Sequence, residues 1–201
     1  MTTALLEYPD LMTEHTSGAL ELRYWPNPVL SEVCEPLTES DFGPELEAFG
    51  NKMIALMQKA GDGVGMAASQ VGLLKRFFVM TFSSKDADPV PPAIICNPVI
   101  LEASKEGQYA SEGCLSFPGV FQHVWRPSEL FVSFQTPTGE PKQMVVFGVE
   151  ARIVAHEIDH LDGKMFFDQS NMPRRDRKAV ESDWAKKGLA NIAASRRRLS
   201  A

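Results

Sequence analysis

No lysine or arginine precedes Arg23, and no apolar run approaches the ~20 residues that a membrane-spanning helix requires. The leading segment carries Glu7, Asp10 and Glu14 instead, which excludes the basic start of a secretory signal and argues against an Arg-rich organellar presequence. Cysteine is scarce: Cys34, Cys96 and Cys114 cannot make a disulfide framework, and their odd number leaves at least one thiol free. That usage fits a reducing, cytoplasmic setting. Histidine is scarcer than chance placement of a metal site would need, with four in 201 residues. Composition has no other extreme, and 44% apolar with 23% charged residues is the balance of one soluble globular domain large enough to enclose a site.

Charge is unevenly spread. From Pro173 onward stand nine basic residues (Arg174, Arg175, Arg177, Lys178, Lys186, Lys187, Arg196, Arg197, Arg198) and three acidic ones (Asp176, Glu181, Asp183), a tail of +6. Because the whole chain is −6, residues 1–172 carry −12. An acidic body with a basic tail suggests a polyanion contact at one end, while a solvated terminal helix explains the same charges.

Residues 1–19 show no sustained period and contain Pro9, Thr16, Ser17 and Gly18, so a loosely ordered extension is expected there, followed by a body over 20–172 and the tail over 173–201. Leu46, Phe49, Met53, Leu56, Met57 and Ala60 recur at helical spacing and predict a helix from Pro44 to Ala60. Strand-rich runs follow at Arg76–Phe82, Ala93–Ile100, Glu129–Thr136 and Lys142–Gly148, the last two joined by a Pro137-Thr138-Gly139-Glu140 loop. Val149, Ile153, Val154, Ile158 and Leu161 predict a second helix, and the tail predicts a third, weakly apolar around Val180, Trp184 and Ile192 and interrupted at Gly188. The fold class expected is α+β, with small antiparallel sheets packed around the second helix.

That second helix carries His156-Glu157-Ile158-Asp159-His160. Residues four apart on a helix lie on one face with β-carbons about 5–6 Å apart, so both imidazoles can reach one metal ion while Glu157 approaches a water. A catalytic ion needs a third protein ligand. The metzincin continuation fails, since Gly163 matches but Phe166 stands where the third histidine would be. A thermolysin-like glutamate has a candidate in Glu181, 21 residues past His160. The remaining candidate is Cys114, within Ser111-Glu112-Gly113-Cys114-Leu115-Ser116, where a thiolate would sit in a strand or turn.

Three segments, Gly63-Val64-Gly65-Met66-Ala67-Ala68-Ser69-Gln70, Glu112-Gly113-Cys114-Leu115-Ser116 and His156-Glu157-Ile158-Asp159-His160 with Leu161-Asp162-Gly163, resemble the signature motifs of peptide deformylases, in family order. The similarity runs from about Leu20 to Asp168. It implies a hydrolase that removes the formyl group from formyl-methionyl nascent chains. By the resemblance Cys114, His156 and His160 are the metal ligands and Glu157 the acid/base, with the Gln70 amide and the Leu115 backbone N–H stabilising the oxyanion. Arg126 is implied to help hold the Glu112 loop. The peptide would lie along Val64, Gly65, Glu112 and Gly113, and Val64, Val149 and Ile153 are candidate walls for its methionine. One thiolate and two imidazoles suit Zn2+, Fe2+, Co2+ or Ni2+, and the resemblance implies Fe2+ in the cell.

Two positions depart from the common pattern. Ala155 stands where deformylases usually carry glutamine, and Arg152 where many bacterial members carry an apolar residue; Ala151-Arg152-Ile153 resembles the organellar-type branch. These departures bear on substrate preference. The partners expected are formyl-methionyl peptides and, through the basic tail, the ribosome, with neither membrane nor DNA. Packing of Val180, Trp184 and Ile192 on the body is the competing role for the tail. A catalytically silent, metal-folded module that binds ribosomes is the alternative of a different class.

Overall fold

The computed structural model describes residues 20–61, 63–82, 90–168 and 174–200. The extension expected over 1–19 lies outside them. Three helices, α1 (Pro44–Lys59), α2 (Gly148–Leu161) and α3 (Arg174–Ser200), combine with seven strands: β1 (Gly65–Ala67), β2 (Phe77–Met80), β3 (Ala93–Ala103), β4 (Gly107–Gly113), β5 (Phe121–Pro127), β6 (Glu129–Gln135) and β7 (Pro141–Phe147). All pairings are antiparallel, giving a five-stranded sheet in the order β1-β2-β3-β6-β7 and a separate β4-β5 ribbon. The α+β class holds.

β2 reads Phe77-Phe78-Val79-Met80, with no polar alternation, because the sheet is covered on both faces there. Phe77 and Val79 meet Leu46, Phe49, Met53 and Met57 of α1. Phe78 and Met80 point the other way, to Ala151, Val154, Ile158 and Leu161 of α2. The site helix is thereby fixed against the centre of the sheet. Cys34 and Cys96 sit in these cores as apolar fillers, and burial pushes their thiols up to about 11 and about 12.

The tail does more than carry charge. Helix α3 runs unbroken through Gly188, correcting the expected interruption. A β-carbon at Gly188 would meet the Trp184 ring at 2.7 Å, so glycine is what lets the indole lie back along its own helix. Trp184 is 5% exposed, stacks on Phe117 with ring centroids 4.1 Å apart, and donates its indole N–H to the Trp25 carbonyl at 3.1 Å. Val180 and Ile192 are partly buried beside it. Trp184→Ala should therefore cost about 3–5 kcal/mol, the range for deleting a buried tryptophan, measurable as a lower denaturant midpoint. A loss under about 1 kcal/mol would mean that α3 contributes little to the body's stability.

Candidate active site

His156 and His160 leave the same face of α2, one turn apart, with ring centroids 5.0 Å apart. Cys114 follows directly on the end of β4, and its Sγ lies 3.2 Å from His160 Nε2. The three ligand atoms lie within 4.8 Å of one another. Bonds of about 2.3 Å to sulfur and 2.0–2.1 Å to nitrogen around a tetrahedral ion would set sulfur and nitrogen roughly 3.5 Å apart, so donor set and spacing both fit one such ion. Among the described residues Glu181 does not belong to this group; it sits on α3. Phe166, at the place of a third histidine, stacks on the His156 ring with centroids 5.9 Å apart.

Behind the ligands lies a charged tie. Glu112 of β4 accepts from Arg126 Nε and Nη2 at 3.0 and 3.1 Å and from Arg152 Nη1 at 2.6 Å, and its Oε2 is 3.0 Å from His156 Nδ1. Arg126 also reaches Asp159 of α2. Burial works against the Glu112 anion, yet bonds and charge from His156 and Arg126 hold its carboxyl at about 2. A fixed carboxylate on Nδ1 selects the tautomer that leaves Nε2 for a metal. Arg152 was visible in the sequence only as a departure from pattern. Its guanidinium also donates to the Val124 and Gln108 carbonyls, lashing α2 to the ribbon. Nothing local in sequence signals this, because Glu112 is 40 residues away. Ala155 is buried among the apolar side chains beneath α2.

Gln70 lies in a short 3-10 turn, Ala68–Val71, after β1. Its Oε1 accepts from the Ala67 N–H at 2.8 Å, which turns the amide nitrogen toward Ser116 Oγ at 3.1 Å and Cys114 Sγ at 3.5 Å. The donor end of the side chain thus faces the ligand trio. The segment over 23–25 holds both Gln70 and Ser116, since Arg23 N–H donates to the Gln70 carbonyl and Trp25 N–H to that of Ser116. Glu157 is 3% exposed, and burial pushes its carboxyl up to about 7. A β-carbon at Gly65 would lie 2.4 Å from Glu157 Oε1 and 2.9 Å from Ile153, so the second glycine of Gly63-Val64-Gly65 makes room for the acid.

Beside these groups lies one cavity of about 480 Å3, within the usual range for ligand sites. Val64, Gly65, Glu112, Gly113, Leu115, Val149 and Ile153 all line it, together with Gln70, Cys114, His156 and Glu157. Arg126 stands behind the wall. Ser195 and Arg198 of α3 also line the cavity, which the sequence reading did not anticipate. The signal was a stripe at four- and three-residue spacing, Trp184, Gly188, Asn191, Ser195 and Arg198, too polar to register as a packing face.

Residues 19–176 match the family model described as Polypeptide deformylase. A peptide deformylase of Thermotoga petrophila is 40% identical over 154 residues, covering 77% of this chain and 88% of that one. Among solved structures, the peptide deformylase of Thermotoga maritima superposes with a TM-score of 0.69 at 37% identity, covering 76% of this chain and 97% of its own. That of Plasmodium falciparum gives 0.74 at 31% identity, covering 86% and 98%.

Proposed function

This chain belongs to the polypeptide deformylase family and removes the N-terminal formyl group from nascent polypeptides, and on that premise we propose the part each of its residues takes. Cys114, His156 and His160 hold one divalent ion. When bound, such an ion supplies a Lewis acid and lowers the pKa of a water from 15.7 to about 7. Glu157 takes the proton of the attacking water and later returns it to the departing amine, yielding formate and a free N-terminus. Its buried carboxyl, near 7, is matched to both halves of that task. As the formyl carbon turns tetrahedral, negative charge gathers on its oxygen, and Gln70 Nε2 with the Leu115 backbone N–H meets it there. The methionine side chain lies against Val64, Val149 and Ile153, with the peptide running along Gly65, Glu112 and Gly113. Arg126 and Arg152 act through Glu112, keeping His156 in its ligating tautomer.

The observation that carries this reading is the clustering of Cys114, His156 and His160 beside a cavity that Cys114, His156, the buried Glu157 and Gln70 line. Formate release from a formyl-Met tripeptide tests it. Cleavage of an internal peptide bond instead would support a thermolysin-like peptidase, and no release of any product would support the silent module. In the same assay Gln70→Ala should lower kcat on the order of a hundredfold, as for loss of one oxyanion donor. An unchanged kcat would remove Gln70 from the mechanism.

Fe2+ is the ion proposed in the cell, with Zn2+, Ni2+ and Co2+ able to replace it, since a thiolate and two imidazoles suit all four. All three cysteines are free, which fits a reducing compartment and supports a cytoplasmic location. No helix of the described residues is long and apolar enough to cross a membrane. The body spans 20–172, and the tail over 173–201 is proposed as a ribosome contact. Lys178 and Lys186 are exposed on α3, away from its packed face, and basic groups near RNA gain from counterion release. Because Trp184 ties α3 to the body, charge reversal tests this better than truncation. Lys178→Glu with Lys186→Glu should weaken ribosome co-sedimentation at low salt while formate release stays within about twofold; unaltered pelleting would dismiss the contact.

A further inference from the structure

Helix α3 ends inside the active-site wall. Three consecutive arginines close it, and at 100° per residue they diverge. Arg196 lies over the Tyr24 ring, 5.8 Å from its centroid. Arg197 faces away from the body on the helix's outer side, on the same stripe as Lys186. Arg198 continues the packed stripe: Trp184 is stacked on Phe117, Asn191 Nδ2 donates to the Pro118 carbonyl at 3.0 Å, Ser195 accepts from the Tyr24 hydroxyl at 3.1 Å, and Arg198 lines the cavity. Leu199, packed against the α1 core, pins the last turn. The arginine is therefore held at the cavity by a chain of contacts along the helix.

The other charged side chains on that wall are buried or bonded. Glu112 and Glu157 are buried, and Arg152 donates to Glu112 and to two carbonyls. Arg198 is exposed, so it stands on the open side of the cavity, opposite in depth to Glu157 and His156. A peptide whose formyl group sits at the ligand trio and whose methionine fills the apolar wall must leave through that open side. We propose that Arg198 is a specificity-determining residue of the deformylation reaction, favouring nascent chains with an aspartate or glutamate in the first two positions after methionine. This rests on the deformylase reading above. An exposed ion pair is weak, so the preference is about three- to fivefold.

The test compares kcat/KM for C-terminally amidated formyl-Met-Asp-Ala, formyl-Met-Lys-Ala, formyl-Met-Ala-Asp and formyl-Met-Ala-Lys, the amide removing the peptide's own carboxylate. The wild-type enzyme should favour Asp over Lys by about three- to fivefold at one of the two positions, carried in KM, and the ratio should shrink toward one in about 0.5 M salt. Arg198→Glu should invert the ratio, and Arg197→Glu, one residue away but facing outward, should leave it unchanged. A wild-type ratio of one at both positions would overturn the proposal, as it would if Arg198 engaged only backbone carbonyls. So would an equal shift in Arg197→Glu, which would mean a general field and not a contact. Absence of formate from all four peptides would instead defeat the deformylase reading.

Discussion

Glu157→Gln should retain a full complement of metal yet release formate at least a hundredfold more slowly, the low end of what positioned proton transfer contributes. Metal analysis and turnover on the same preparation check it, and a variant that loses its ion would make Glu157 a ligand and not a base. The substitution also has a stability signature in chelator-treated protein. Burial raises the Glu157 carboxyl from 4.5 to about 7. Between those values the folded chain keeps a proton that the unfolded chain has released, so the wild type loses stability as pH rises through the window. Glutamine carries no such proton. Its advantage over wild type should be absent below about pH 4.5, grow up to about pH 7 and then level off, as chemical denaturation across that range would show. A difference that shrinks with rising pH would contradict the assigned burial of the charge.

The other large effect belongs to Cys114. With two histidines on α2 already converging, the thiolate is the proposed third protein donor, and Cys114→Ala should reduce bound metal to a small fraction of one ion per chain and abolish turnover with it. Glu181→Ala, on the far helix, should change neither. A Cys114→Ala protein that purifies with its ion and its activity would transfer the third-ligand role elsewhere on the chain.

The helices and the central strands were readable because their stabilisation is apolar and periodic. The 3.6-residue period placed α1 and α2 to within a residue, and four of the seven strands matched runs of apolar residues. β1, β4 and β5 escaped for physical reasons. β1 is three residues long. β4 turns Ala110 and Glu112 inward, and the latter is held by arginines and not by apolar contact, so period-two hydrophobicity never develops. β5 inverts the usual pattern: Arg126 is buried while Phe121 and Trp125 face outward, their rings covering Gly113 and Gly107. In the site, residues belonging to short motifs were legible: Cys114, His156 and His160 cluster, and Cys114 and His156 line one cavity with Glu157 and Gln70. Arg152 and Arg198 were not, because their significance lies in partners brought near only by the fold.

The Glu112 tie also bears on how the enzyme acquires its ion. In a small zinc finger the ligands hang from a chain that has no other reason to fold, so metallation and folding are one event. Here the ribbon that bears Cys114 and the helix that bears both histidines are joined by Arg126, Arg152 and Asp159, and none of those bonds involves the ion. Removing the metal is therefore expected to leave these ties in place, so that a different ion could enter without refolding, which circular dichroism of chelator-treated protein before and after metal return would check. On that expectation, the ion held would follow supply and exchange in the surroundings through the lifetime of a single molecule and would not be a choice made once at synthesis.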